Sequence, residues 1–381
     1  MHVFIVTIGT RGDLELFLML GRALRQRRHQ VVLGTSTFYL HWVRQAGLEG
    51  IPLGEGTLEQ LLKILYALAP VGDRTQRTLA FYKFWVQAQI AQAMPQITTI
   101  GACTDYFVSN LKMMLRRQGQ VVPGAAVTYD PPASPAELDE YRTGEQGGRI
   151  VDLVALNQQL ADPEGRWGPR YRFTGFWQPE QTSARPLPAE LESFVAQGSP
   201  PIVLTMGSMV MFDAARLATA FDAALKLAGR RGVLVGGWSE MKHNARSPER
   251  LYCLREAPYD WLFPRAACVI HHGGCGTVAA VLRAGKPSIV LPQVTCQELF
   301  GQRMVQEKLA AGLLEASTLS AEDLAALIDR AVNDPAFAES AHVWQERIAK
   351  DGGVHMAADL IDAHADQIHG WGAAAHADQH E

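Results

Sequence analysis

The stretch Ile270-His271-His272-Gly273-Gly274-Cys275-Gly276-Thr277, followed by the alanine-rich run Val278 to Ala284 and by Gly285-Lys286-Pro287, decides the reading of this chain. An apolar strand over Ala266 to Ile270 runs into glycines that permit a tight turn, and a helix is expected to open at Thr277, whose hydroxyl suits a helix start. This is an anion site. The first free N–H groups of the helix and its positive dipole end face whatever occupies the turn, which favours a diphosphate by roughly 0.3–2 kcal/mol. His272 adds a donor from its ring and Thr277 one from its hydroxyl. Spacing alone also fits an ordinary strand, turn and helix with two incidental histidines, so the surroundings must decide.

Working outward, apolar runs alternate with helical patterns along the whole chain. Val3 to Ile8 suits a buried parallel strand, Leu14 to Arg27 carries apolar residues at helical spacing, and Gln30 to Leu33 reads as a second strand. The intervening turn lacks G-x-G-x-x-G, and Asp13 stands at the mouth of its helix, which argues against a dinucleotide site. Residues Leu61 to Met94 are helical in pattern, with Tyr66, Phe81, Tyr82, Phe84 and Trp85 available either for an apolar pocket or for core packing. Asp105 to Ser109 and Val121 to Thr128 read as further strands, and Tyr129 to Trp177 reads as polar loop. In the second half, Leu191 to Ala196 is a short helix, and Ile202 to Thr205, Val233 to Val235, Cys268 to His271 and Ile289 to Leu291 are strands. Such alternation predicts doubly wound parallel sheets, with ligands at the carboxyl ends of the strands.

The chain has 381 residues, enough for two cored domains, and its 48% hydrophobic and 19% charged content is that of a globular protein. A formal charge of −4 gives no general attraction to nucleic acid. The N-terminus has no signal-peptide pattern and no 18-residue apolar run occurs, so a cytoplasmic protein without a transmembrane segment is expected, with peripheral membrane contact left open. Five cysteines without metal-ligand spacing point to reduced thiols.

Three segments together carry a resemblance. Pro258-Tyr259-Asp260-Trp261-Leu262-Phe263-Pro264-Arg265, the glycine turn, Arg283-Ala284-Gly285-Lys286-Pro287, Leu291-Pro292 and Gln297 resemble the donor-binding signature of the UDP-glycosyltransferase superfamily, nearest its bacterial sterol-glucosyltransferase and glycopeptide-antibiotic glycosyltransferase branch. Gly9-Thr10-Arg11-Gly12-Asp13 and Thr205-Met206-Gly207-Ser208-Met209 match in the same order. The resemblance implies an α/β GT-B fold, two Rossmann-like doubly wound domains facing across a cleft. Residues 1–177 are expected to form the N-terminal, acceptor-binding domain, 178–190 a linker, 191–355 the nucleotide-sugar-binding domain, 356–369 a terminal helix crossing back, and 370–381 a disordered tail.

The activity implied is metal-independent, inverting transfer of a sugar from a UDP- or TDP-sugar to a hydroxyl of a lipophilic small molecule, with no cofactor beyond the nucleotide sugar. Asp13 matches the family's proposed base, with His41 and Asp130 as alternatives; a helix start also favours a carboxylate for structural reasons alone. Thr10, Ser208, His272, Gly273, Gly274, Gly276 and Thr277 are expected around the diphosphate, and Trp238 and Tyr259 around the nucleoside. No D-x-D metal motif occurs, and a helix terminus, an imidazole and hydroxyls can carry the leaving group's charge. Where the family holds the sugar with an acid and a glutamine, this chain reads Cys296-Gln297. A weakened site or a deoxysugar donor follows from that change. Two other readings use the same motifs: a nucleotide-sugar epimerase, and a non-catalytic GT-B helper that binds nucleotide.

Overall fold

Val3, Phe4, Ile5 and Val6 are all buried, as in a strand covered by helices on both faces. They belong to β1 (His2–Val6) of a seven-stranded, wholly parallel sheet with β2 (Gln30–Thr35), β3 (Glu49–Pro52), β4 (Tyr106–Ser109), β5 (Gly124–Thr128), β6 (Ile150–Val154) and β7 (Tyr171–Phe173). A second parallel sheet holds β8 (Ile202–Thr205), β9 (Gly232–Val235), β10 (Leu251–Leu254), β11 (Cys268–His271), β12 (Ser288–Val290) and β13 (Ala310–Leu313). The computed structural model describes residues 1–68, 73–101, 106–109, 124–128, 150–169, 171–178, 187–209, 213–237 and 249–377.

Strand order fixes where ligands can go. The first sheet runs β3-β2-β1-β4-β5-β6-β7 and the second β10-β9-β8-β11-β12-β13. In each, the chain winds outward one way from a central strand and then restarts beside it, so the switch point lies between β1 and β4 in one sheet and between β8 and β11 in the other. At such a point, successive crossovers leave a crevice at the carboxyl ends of the two strands. The Gly9–Asp13 motif follows β1, and the Met206–Met209 and glycine-turn motifs follow β8 and β11.

The segments group into two compact units, Met1–Leu61 with Tyr82–Gln178 and Asp351–Glu381, and Leu62–Phe81 with Pro179–Lys350. Residues 62–81 thus cluster with the second unit, although the expected first domain ran unbroken over 1–177. The physical cause is packing of the Arg74–Phe81 helix on the Thr295–Gln306 helix, with an Arg77 hydrogen bond to the Gln293 carbonyl.

In the first unit the Arg11–Gln26 helix buries Leu14, Phe17, Leu20 and Leu24, one face at helical spacing. Gly21 lets that helix approach Leu48, since a Cβ there would lie 2.7 Å from its Cδ1. The last helix, Gly353–Ala377, also packs on it, burying Ala357, Ala358, Ile361 and Ala365. Arg27 to Asp359 at 2.6 Å and His29 Nε2 to Asp362 at 2.7 Å tie the two helices at the edge. This helix runs past Gly370, where small polar residues had predicted a disordered tail.

Tyr129 to Trp177 is also more regular than its composition suggested, since β6, β7 and a short Gln158–Ala161 helix lie in it. Among the aromatics of 61–94, Trp85 is buried in the core while Phe84 and Tyr66 are exposed at 57% and 45%. They do not share one pocket.

Candidate functional site

The strand β11 ends in two histidines with different jobs. His271 is fully buried, and its Nδ1 accepts the Gly273 N–H at 3.0 Å, which holds the turn where Gly273 takes φ +86°. That left-handed conformation is why glycine stands there. His272 lies between two more glycines. A Cβ at Gly207 would sit 2.9 Å from its Cε1, and a Cβ at Gly274 only 2.3 Å from its Nε2. Its Nε2 therefore reaches the helix mouth because residue 274 has no side chain.

Burial keeps both rings neutral. It pushes His271 down to about 3, with the neighbouring His272 adding to the effect, and His272 down to about 4. His272 Nδ1 and His271 Nε2 are buried without a hydrogen-bond partner among the described residues. A neutral imidazole still carries one N–H donor, so His272 can serve an anion without itself being a cation.

The helix after the turn spans Cys275–Ala284, two residues earlier than expected, because Gly274 and not Thr277 is the cap residue. Its cap residue, Gly274, has no side chain to cap it and no acidic residue lies in its first turn. Gly276 is exposed, with open space where a Cβ would be, while Thr277 is buried in the first turn. The amides of Cys275 and Gly276 precede the first intrahelical bond, from Val278 N–H to Gly274 C=O. An uncapped N-terminus beside a glycine turn suits an anionic oxygen.

Loops from β8 and β9 complete the surroundings. Gly207 and Gly237 both have positive φ, and a Cβ on Gly237 would lie 2.1 Å from the Gly207 carbonyl oxygen, so this crossing requires glycine. Thr205 Oγ1 accepts the Gly207 N–H at 3.2 Å and pairs with the Tyr259 hydroxyl at 2.8 Å. Tyr259 stacks on Phe263 with centroids 4.3 Å apart. Its hydroxyl thus braces the Met206–Met209 loop, a connection that the sequence motifs did not reveal.

The loop after β12 approaches the same turn. Gln297 is buried, its main-chain oxygen lies 3.0 Å from where a Gly273 Cβ would stand, and its Oε1 accepts the Gln293 N–H at 2.8 Å. Its Nε2 is then the end left for another partner. Cys296 is half-buried beside it. Ser208, His272, Gly273, Gly274, Gly276, Thr277, Cys296 and Gln297 are therefore brought to one end of the second sheet, whereas Trp238 lies outside the described residues.

The first unit arranges its motif differently. Thr10 caps the Arg11–Gln26 helix, and Asp13 folds back so that Oδ2 accepts from Thr10 N at 2.7 Å and from Thr10 Oγ1 at 3.0 Å. A Cβ on Gly9 would strike that oxygen at 2.4 Å. Tyr39 is buried nearby and its phenol is raised above its ordinary range, by burial first and by the Asp13 charge second. His41 is exposed with its ring 4.4 Å from that of Trp42, over which Arg11 lies at 5.0 Å. Asp130 lies outside the described residues.

Known proteins with this organisation are glycosyltransferases. Residues 3–100 match the glycosyltransferase family 28 N-terminal domain, and residues 240–362 match the erythromycin biosynthesis protein CIII-like C-terminal domain. The chain is 30% identical to O-mycaminosyltylonolide 6-deoxyallosyltransferase of Streptomyces fradiae, over 96% of this chain and 98% of that one. It is 24% identical to sterol 3-beta-glucosyltransferase UGT80B1 of Arabidopsis thaliana, over 96% and 68% respectively. The crystal structure of the glycotransferase of kitacinnamycin superposes with a TM-score of 0.69 at 18% identity, over 95% of this chain and 98% of the other, and is of the same GT-B fold.

Proposed function

This chain belongs to the UDP-glycosyltransferase superfamily of GT-B glycosyltransferases, and from that premise we propose that it transfers a deoxysugar, with inversion and without a metal ion, from a UDP- or TDP-sugar to a hydroxyl of a lipophilic small molecule. The observation that carries this reading is the open glycine turn. An uncapped helix start, two glycines without side chains and the neutral His272 meet at one switch point. They can accept the charge that a departing diphosphate develops, which is where catalytic stabilisation is most useful.

Inverting transfer needs one displacement. The acceptor oxygen bonds to the anomeric carbon as the bond from that carbon to the diphosphate oxygen breaks, and the bonding pair leaves with the nucleoside diphosphate. The acceptor proton passes to a base, for which Asp13 is our assignment. Its Oδ2 is held by two hydrogen bonds from Thr10, which fix the carboxylate at the start of the helix. Ser208 and Thr277 are assigned to the phosphates, Tyr259 and Trp238 to the nucleoside, and no further cofactor is required; Thr10, whose N–H and hydroxyl both donate to Asp13, is left out of that set.

The donor assignment rests on the end of Gln297 that is left over. With Oε1 on the Gln293 amide, Nε2 donates to a sugar oxygen, while Cys296 offers only a weak thiol where the family places an acid. A small hydrophobe beside one donor suits a sugar with fewer hydroxyls. The relative from Streptomyces fradiae, a 6-deoxyallosyltransferase by name, supports this reading. Competition between TDP-glucose and a TDP-6-deoxyhexose, followed by nucleotide release and by the anomeric configuration of the product, tests it. Preference for the deoxysugar with inverted configuration is expected; preference for glucose in both wild type and Cys296→Asp would remove the donor assignment.

A further inference from the structure

One side chain from the first third of the sequence reaches the loop that follows β12. Arg77, on the Arg74–Phe81 helix of the second unit, donates from Nη1 to the main-chain oxygen of Gln293 at 2.8 Å. The Gln293 N–H donates to Gln297 Oε1, and the Gln293 Nε2 curls back onto the Leu291 and Pro292 carbonyls at 3.1 and 3.2 Å. Gln293 and Gln297 are both buried. The Gln293 C=O and N–H belong to the two peptide groups that flank its Cα, so a charged donor on one and the Gln297 amide on the other together fix the main chain at that residue.

We propose that Arg77 is a positioning residue for the donor sugar, acting through the Gln293 main chain to hold the Gln297 amide with Nε2 turned outward. It rests on the reading of Cys296 and Gln297 as sugar contacts. The residue that normally shares that task, an acid at position 296, is replaced here by a thiol, so the orientation of one amide carries more of the selectivity. Arg77 does not approach the diphosphate turn through any of these bonds, so its effect is confined to the sugar.

The test separates sugar from nucleotide. Calorimetry on the full chain compares TDP with TDP-glucose, and UDP with UDP-glucose, and steady-state kinetics supplies the KM against kcat split. Arg77→Met is expected to weaken nucleotide-sugar binding and raise donor KM by about tenfold, with nucleoside diphosphate affinity within twofold of wild type. Arg77→Lys, which restores one charged donor, should recover to within about threefold. Arg77→Gln replaces the methionine variant if the latter folds poorly. In a cycle with Gln297→Leu, the Arg77 change should have no further effect. Equal losses for sugar nucleotide and diphosphate, no loss at all, or fully additive effects in the cycle would each overturn the proposal. His272→Ala with undiminished diphosphate affinity would instead overturn the reading of the site.

Discussion

Two helices begin just after the central strands of their sheets, and they treat their N-termini in opposite ways. The Arg11–Gln26 helix supplies its own anion: the Asp13 carboxylate lies on the Thr10 amide and hydroxyl. The Cys275–Ala284 helix has no acid in its first turn, and glycines at 207 and 274 leave the space beside His272 that a Cβ would take. A helix start that is satisfied internally is a poor site for an external anion, and one left open at a glycine turn is a good one. The same strand-turn-helix unit has thus become a structured motif bearing a carboxylate in one sheet and, in the other, the glycine turn proposed to take the diphosphate.

The largest effect should come from Asp13→Asn. Asparagine keeps the acceptor for the Thr10 amide but loses basicity, so turnover should fall by roughly 10²–10⁴ while the thermal midpoint barely moves. A variant that melts early and keeps its rate would make Asp13 a cap only and move the search to His41 and Asp130. Converting the second helix into a copy of the first comes next. Gly276→Asp fits into open space and places a carboxylate in the first turn, which should leave or raise stability and weaken nucleoside diphosphate binding by roughly a hundredfold through like-charge repulsion. Gly276→Ala is the control, and equal affinities for the two variants would mean that the diphosphate lies elsewhere.

His272→Ala should weaken UDP and TDP binding and lower turnover by at least about tenfold, since a hydrogen bond to a charged group contributes about 1.5–3 kcal/mol. Unchanged calorimetric affinity would exclude the ring from the site. The two histidines also set an acid limit. Above pH 6.5 they are neutral in the folded and unfolded chain alike, but from 6.5 down towards about 4 and 3 the unfolded chain binds protons that the folded one refuses. Stability should therefore fall as pH falls through that window, by at most about 1.4 kcal/mol per pH unit for each histidine. Urea midpoints of His271→Asn and His272→Asn should show flatter slopes; slopes equal to wild type would assign the acid sensitivity to other groups. Chelation should have the least effect of all. Rates in EDTA should equal those without it, and recovery by added Mg²⁺ after a loss would show that the helix terminus needs a cation.

The glycine turn after β11 was legible because its glycines and histidines each have a steric or chemical reason to be there. Ile202 to Thr205 was read to the residue, since four consecutive buried apolar or β-branched side chains leave little alternative. Other strands were hidden by composition. β13 is Ala-Ala-Gly-Leu, poor in strand formers, and forms by pairing with β12, with glycine at 312 making room for Leu327, which a Cβ there would meet at 3.0 Å. β6 carries Asp152 in its middle, buried at 2% exposure, which breaks the apolar run. The bracing of Gly207 by Thr205 and Tyr259 joins residues 54 apart, and the Arg77 contact spans 216. No local period announces bonds of that separation, so they become visible only once the sheet has set its neighbours.

The last helix has a consequence for how the chain is made. Its residues from Asp351 onward belong to the unit that begins at Met1, and the Gly353 amide is fixed to the Thr174 carbonyl at 2.7 Å while Asn157 donates to Asp351 at 2.8 Å. The face of the Arg11–Gln26 helix that receives Ala358 and Ile361 has to wait while residues 179–350 are synthesised, on the order of ten to thirty seconds at about 5–20 residues per second. During translation that apolar face is open to chaperones, and a ribosome that stalls before Asp351 holds a nascent chain whose Arg11–Gln26 helix lacks its outer cover.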